Sequence, residues 1–307
     1  MPLHGVTRLG YVHARVTDLS EAKGHYGNTM GLYPVHETAD RVYYKGWDEF
    51  DHHSVVLEAG GVGLVKLGFK VTDPSDIEGI EKAAQAFGAV TERMSAGENL
   101  EVSDGLRIVS PSDHVIEIYH GMTMRGTEVG THNPEVFPRH LVGVGAPRID
   151  HALITAEDVK TMDRFFHEVL GFYATERVVT SLDDGADYIG TWMTAGNTVH
   201  DIAVIGGPNG KLHHFAFQLT DWSEIKKAGD FFAMDDVSVD IGPTQHGITR
   251  GETIYFWDPS GNRNETFSGG YLSHRDRPQI TWTPDQLAKG IFYHARELKD
   301  TFMNVFT

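Results

Sequence analysis

The chain carries its own pattern twice. Leu64 to Glu117 aligns without gaps onto Leu212 to Glu265, 148 positions later, matching Phe69 to Phe217, Thr72-Asp73 to Thr220-Asp221 and Pro111-Ser112 to Pro259-Ser260. A second block, displaced by 138 positions, sets His13-Ala14 on His151-Ala152, and the Met30-Gly31-Leu32 that follows corresponds, with a two-position slip, to the end of the stretch Val169-Leu170-Gly171-Phe172. The ten-position difference is an insertion in the second half between the two blocks. A duplication of this length leaves few architectures open, because the fold must consist of equivalent halves.

Each half divides again. An alternating strand from Gly10 to Val16 leads into a helix beginning near Asp18, with apolar positions Leu19, Ala22, Tyr26 and Met30, stopped by Gly31. Strand-like runs follow at Tyr33 to His36, Arg41 to Trp47 and Ser54 to Glu58. The next stretch repeats that order, with strand Leu64 to Val71, a helix opened by Pro74 and closed by Gly88, and strands ending at Val115 to Tyr119. The reading is α+β, four βαβββ units at about 8–58, 64–119, 149–206 and 212–267. A connector at 120–148, with Pro134, Pro138, Gly143, Gly145 and Pro147, separates a domain at 1–135 from one at 136–307. Pairing two such units closes a barrel-like cavity in each domain. The tail from Gly269 to Thr307 is expected to carry a helix after Thr283-Pro284, for packing or assembly.

Composition narrows what the cavities can hold. The 307 residues are 40% apolar, enough for two cores, and 43 acidic against 26 basic residues give a net charge of −17. That charge opposes binding to nucleic acid and to anionic membranes. Neither a leader-like start nor a membrane-length apolar run is present, which points to the cytoplasm. Cysteine is absent, so any metal must sit on imidazole and oxygen. Most of the 18 histidines are expected to be packing or surface residues, among them His25, His36, His52, His53, His114, His167 and His274.

Three residues stand apart from those. Thr244 to Glu265 reads as a strand, a tight Asp258-Pro-Ser-Gly261 turn and a second strand that presents the Glu265 carboxylate. Upstream, His213, Phe215, Phe217 and Leu219 alternate onto one face, expected to be the helix-packed one, which turns His214 with Ala216 and Gln218 toward the cavity. His151 lies in the first strand of the same half. Two imidazoles and one carboxylate form the facial triad of non-haem iron(II) oxygenases, which leaves three metal positions open. A catecholate occupies two of them and dioxygen the third.

The stretch from His246 through Tyr255 and Asp258-Pro-x-Gly to Glu265 resembles the signature of the extradiol ring-cleavage dioxygenases of the vicinal-oxygen-chelate group, and the resemblance spans the chain. The ending Thr281-Trp-Thr-Pro-Asp-Gln-Leu-Ala-Lys-Gly-Ile-Phe-Tyr-His294 is similar to that of single-ring catechol 2,3-dioxygenases. The resemblance implies the glyoxalase-like fold, iron(II) (with manganese(II) as an alternative) on His151, His214 and Glu265, and O2 as co-substrate. It also implies His200 beside the oxygen position, His246 and Tyr255 at the catechol oxygens, a muconic semialdehyde product, and a homotetramer. A histidine that titrates near neutrality suits proton transfer to reduced oxygen, and His246 or Tyr255 suits holding the substrate's remaining hydroxyl proton.

The first half is an internal control. Its counterparts of the ligands are His13, Lys66 and Glu117, and an ammonium cannot donate a lone pair to a metal, so that half is expected to be metal-free. Trp192 is left unassigned between pocket wall and core, the commoner place for an aromatic in a strand, and Gly60, Gly61 and Gly63 read as a turn. The same scaffold also serves metal isomerases and metal-free binding proteins. An intact triad disfavours the second, and a full ligand set within one half disfavours the first.

Overall fold

The computed structural model describes residues 4–307. Unit 1 comprises β1 (Val6–Val16), α1 (Leu19–Lys23), β2 (Tyr33–Glu37), β3 (Arg41–Lys45) and β4 (Val55–Ala59). Unit 2 comprises β5 (Gly63–Val71), α2 (Asp76–Phe87), β6 (Val90–Met94), β7 (Gly105–Val109) and β8 (Val115–Tyr119). Unit 3 is β9 (Arg148–Ala156), α3 (Val159–Glu168), β10 (Tyr173–Val179), β11 (Tyr188–Thr194) and β12 (Ile202–Gly206). Unit 4 is β13 (Leu212–Gln218), α4 (Trp222–Met234), β14 (Val239–Gln245), β15 (Gly251–Trp257) and β16 (Arg263–Gly269). The four expected units are thus present in order.

Local chemistry sets the element ends. Asp18 caps α1 by accepting from the Ser20 and Glu21 N–H groups at 2.6 and 3.0 Å. The helix widens into a π turn over Gly24–Thr29 and then stops at Gly31, whose φ of 71° is open to glycine at little cost. Gly88 closes α2 in the same way, at φ 95°.

Units 1 and 2 form one sheet in the order β2-β3-β4-β1-β5-β8-β7-β6, and units 3 and 4 form its equivalent with one strand added at the β10 edge. The end strands β2 and β6 do not pair with each other, so the cavity is a curved sheet open along one side. The added strand is β17 (Ile280–Trp282), parallel to β10. The helix expected after Thr283-Pro284 is present, as a 3-10 turn at Pro284–Gln286 that runs into α5 (Leu287–Ile291), and the tail adds β17 and a second short helix, α6 (Asp300–Asn304).

The helix-bearing faces of the two sheets meet in one apolar core. Tyr26, just beyond α1, stacks on Phe215 of the other sheet with centroids 6.1 Å apart, and Phe166 of α3 meets Phe69 of the first sheet at 6.2 Å. Each fully buried aromatic or aliphatic side chain contributes roughly 1.5–3 kcal/mol by leaving water. The signature turn adds polar contacts to this interface. Asp258 accepts from Tyr26 Oη and Asn262 Nδ2, both at 2.9 Å, and Asn262 reaches the Arg15 carbonyl at 2.9 Å. The equivalent turn of the first half donates from His114 Nε2 to the Lys211 carbonyl at 3.0 Å. The Asp-Pro-Ser-Gly segment therefore ties one sheet to the other while aiming β16 at the cavity.

Candidate metal centre

Neighbouring central strands bring the candidate ligands together. β9 carries His151, β13 carries His214 and β16 carries Glu265; β9 pairs antiparallel with β13, and β13 pairs parallel with β16. One donor atom from each lies within 4.8 Å of the others, and all three residues are buried. His151 Nε2 and His214 Nε2 are 3.3 Å apart, and each is 3.0 Å from Glu265 Oε2.

Hydrogen bonds to the outer atoms decide which lone pairs remain for a metal. Asp150 Oδ2 accepts from His151 Nδ1 at 2.8 Å, leaving Nε2 of that ring as the free donor. His213 gives its Nε2–H to the Phe302 carbonyl at 2.8 Å, so its Nδ1 accepts from His214 Nδ1 at 2.7 Å, and His214 also keeps Nε2 free. Thr253 Oγ1 donates to Glu265 Oε1 at 2.6 Å, leaving Oε2 on the metal side.

This donor set fits a divalent cation. Two imidazole lone pairs and a carboxylate oxygen converge in a buried place, where something positive has to lie between them. In the metal-free protein that positive charge is a proton. Burial opposes charge on His151, but Glu265 and Asp150 overcome it and raise the group to about 9. Burial lowers His214 to about 4, and burial likewise opposes the Glu265 charge, which His151 and His214 nevertheless hold well below the usual carboxylate range. The two imidazoles differ because only His151 has a carboxylate behind it.

One expectation from strand alternation fails here. The β9–β13 register shifts between Leu212 and His214, so His213 does not join Phe215 and Phe217 on the helix-packed face. A bulge inserts one residue and re-aims its neighbours. The His213 ring instead lies 4.5 Å from that of Phe302 in the tail, with Arg263 Nη1 3.3 Å from its Nε2. It remains a buried, packed histidine, as expected, though on the other side of the sheet.

The remaining candidates flank the ligands. His200 is buried with its ring centroid 3.9 Å from that of His151, and its Nδ1 has no hydrogen-bond partner. Burial, with His151 beside it, lowers its pKa well below the ordinary value, so the ring is neutral. On the other flank, Tyr255 lies 5.1 Å from His214 by ring centroids, with its hydroxyl 2.9 Å from His246 Nε2. His246 Nδ1 donates to the Ile291 carbonyl, which leaves Nε2 as an acceptor. Burial and Glu265 raise Tyr255 well above its ordinary value, so the phenol keeps its proton.

All six residues line one pocket, with Val178, Trp192, Ile248, Leu287, Phe302 and Met303 among its apolar walls and no lysine or arginine among its lining residues. Trp192 is thus both buried and pocket-lining. Sequence reading misses Asp150, Thr253 and the tail wall. Asp150 adjoins a candidate ligand in sequence and was open to inference, whereas nothing in the tail pattern marks Phe302.

In the first half, Glu117 accepts from Lys66 Nζ at 3.1 Å, Arg107 Nη2 at 2.8 Å and Asn99 Nδ2 at 2.9 Å, and also from Tyr11 Oη. Fixed side-chain cations neutralise it, and among the described residues that half shows no metal-holding group.

Residues 148–266 match the Glyoxalase/Bleomycin resistance protein/Dioxygenase superfamily, and residues 66–122 match the catechol 2,3-dioxygenase-like N-terminal domain. The chain is 40% identical over 307 residues to the metapyrocatechase of Pseudomonas sp. (strain CF600), covering 99% of each. It belongs to the extradiol dioxygenase family. A manganese-dependent 2,3-dihydroxybiphenyl 1,2-dioxygenase of Geobacillus genomosp. 3 is 27% identical, across 96% of this dioxygenase and 95% of the relative. The solved 2,3-dioxygenase LapB of Pseudomonas sp. KL28 superposes with a TM-score of 0.88 at 41% identity, covering 93% of this chain and 100% of that one. Homoprotocatechuate 2,3-dioxygenase of Brevibacterium fuscum, solved with 3,4-dihydroxyphenylacetate, gives 0.85 at 27% identity over 99% and 93%.

Proposed function

We propose that this extradiol dioxygenase opens single-ring catechols beside the diol, using O2 and a ferrous ion on His151, His214 and Glu265. The observation that carries the reading is the convergence of three free donor atoms on a pocket whose other polar groups include His200, His246 and Tyr255. Manganese(II) suits the same oxygen and imidazole donors, and one relative is manganese-dependent. When bound, the metal supplies Lewis acidity toward vicinal hydroxyls and a route for electrons from ring to dioxygen.

The chain's own groups handle protons and position. His246 Nε2 and Tyr255 Oη, facing each other, hold a catechol hydroxyl proton between them and release it as the ring's electrons are drawn away. His200, neutral and free at Nδ1, takes and returns a proton on the opposite flank, toward oxygen. Apolar walls exclude water and orient the ring edge-on to the ligands.

Away from the ligands the lining carries no charged side chain, which favours catechol and alkylcatechols, because a carboxylate substituent there would find no lysine or arginine. Oxygen uptake by protein loaded anaerobically with Fe(II) or Mn(II) tests this. Catechol and methylcatechols should consume oxygen, and 3,4-dihydroxyphenylacetate should show a kcat/KM lower by about tenfold or more. A preference for the carboxylated substrate would overturn the assignment. We assign the metal to 136–307 and none to 1–135, and a cytoplasmic homotetramer follows the family resemblance. No helix among the described residues is long and apolar enough to cross a membrane.

A further inference from the structure

Away from the ligands, one buried carboxylate is held by donors from three separate segments. Glu176 of β10 is fully buried. Its Oε1 accepts from the Thr249 N–H at 2.6 Å and from Tyr271 Oη at 2.9 Å, and its Oε2 accepts from Trp282 Nε1 at 2.6 Å. Thr249 belongs to the loop between β14 and β15, Tyr271 follows β16, and Trp282 ends β17.

The loop needs such an anchor. Thr249 and Arg250 have φ of 63° and 58°, conformations that side-chain-bearing residues hold only when their surroundings enforce them. The same loop carries His246 and Ile248 into the pocket wall. Its Gly247 and Ile248 N–H groups both donate to the Gly290 carbonyl at 2.8 Å. The Trp282 indole lies so close to Gly247 that a Cβ there would sit 3.1 Å from it. Glu176 therefore touches the loop directly through Thr249 and indirectly through Trp282. Burial raises the Glu176 carboxyl above its ordinary value, and the hydrogen bonds from Trp282, Thr249 and Tyr271 offset part of that rise.

We propose that Glu176 is a positioning residue for substrate binding, fixing loop 246–250 and β17 so that His246, Ile248 and Thr249 face the bound ring. This rests on the functional reading of His246 given above. The experiment compares wild type, Glu176→Gln and Trp282→Phe as metal-loaded enzyme, measuring metal content, thermal transition, and kcat and KM for catechol. The amide presents a donor where either the Thr249 or the Trp282 N–H requires an acceptor. Expected for Glu176→Gln is a KM about tenfold higher with kcat within about threefold and full metal content. Trp282→Phe leaves Glu176 in place but deletes the indole N–H and the outer ring that packs on Gly247, and should raise KM severalfold, which keeps the test decisive if Glu176→Gln fails to fold. A lowered thermal transition with unchanged KM in the folded variants would show a structural role only and overturn the proposal. No turnover of catechol by the wild type would overturn the functional reading, and this one with it, whereas wild-type turnover with unaltered variant KM overturns the positioning role alone.

Discussion

His213 and His214 are neighbours on one strand, yet only one presents a free lone pair to the cavity. The difference comes from where each ring's N–H goes: His213 spends its Nε2–H on the Phe302 carbonyl, and that fixes both tautomers. Pattern alone finds His214 and Glu265, because two strands of one half place them in the cavity. It does not find the bulge that sets His213, since a register shift leaves no mark in residue type. Glu265→Ala and His214→Ala should each remove the metal and the activity, while Glu117→Ala should leave metal content unchanged, both read by metal analysis of purified protein. Metal lost from the Glu117 variant alone would mislocate the site. Asp150→Asn should weaken metal binding by roughly ten- to a hundredfold, measured by chelator competition, because the acceptor behind His151 loses the negative charge that makes the imidazole a stronger donor to the metal. His200→Phe should retain metal and bind catechol, with kcat reduced about a hundredfold or more, since His200 is outside the ligand set, its Nδ1 has no partner, and the role proposed for it is proton transfer. Metal-free purification of that variant would make it a ligand instead.

At the level of elements, the four units and their order were legible because each repeats a strand, a helix and alternating strands, with glycine closing the helix in the first three. The tail was not. Its contribution depends on a return to the cavity by a chain with no repeat to align, and its helices are only five residues each. Yet α5 and α6 set the pocket wall, the His246 tautomer through Ile291, and the His213 tautomer through Phe302. Phe302→Ala should therefore raise KM for catechol by about tenfold while destabilising the fold by roughly 3–5 kcal/mol, the usual cost of emptying a buried aromatic site. Steady-state kinetics beside chemical denaturation separates the two effects. An unchanged KM would mean that the tail covers the pocket without shaping it.

For the whole molecule, duplication produced two sheets of one design with opposite electrostatics at the matching place. Lys66 and Arg107 balance Glu117 in one, whereas in the other the basic groups paired with Glu265 are imidazoles. The first sheet also buries His13 and His53, each lowered by burial to about 3, so both are neutral in the folded state. Unfolded histidine titrates near 6.5, so the unfolded chain binds protons that the native one excludes, and stability falls as pH drops through about 6.5 toward 3. Denaturation of metal-free protein at pH 7.5 and 5.5 should show a lower midpoint at 5.5, with His53→Phe reducing the difference; a difference unchanged in that variant would contradict the neutral state of His53. The chemistry of the second sheet is tested most directly by the product formed from catechol in air by the ferrous protein, followed by absorbance and mass. Two imidazoles and one carboxylate leave ferrous iron one net positive charge, and the paired tyrosinates that favour iron(III) are absent from the donor set. The expected product is a yellow ring-opened semialdehyde, one dioxygen heavier than catechol. A colourless dicarboxylic acid, cut between the hydroxyl-bearing carbons, would contradict it.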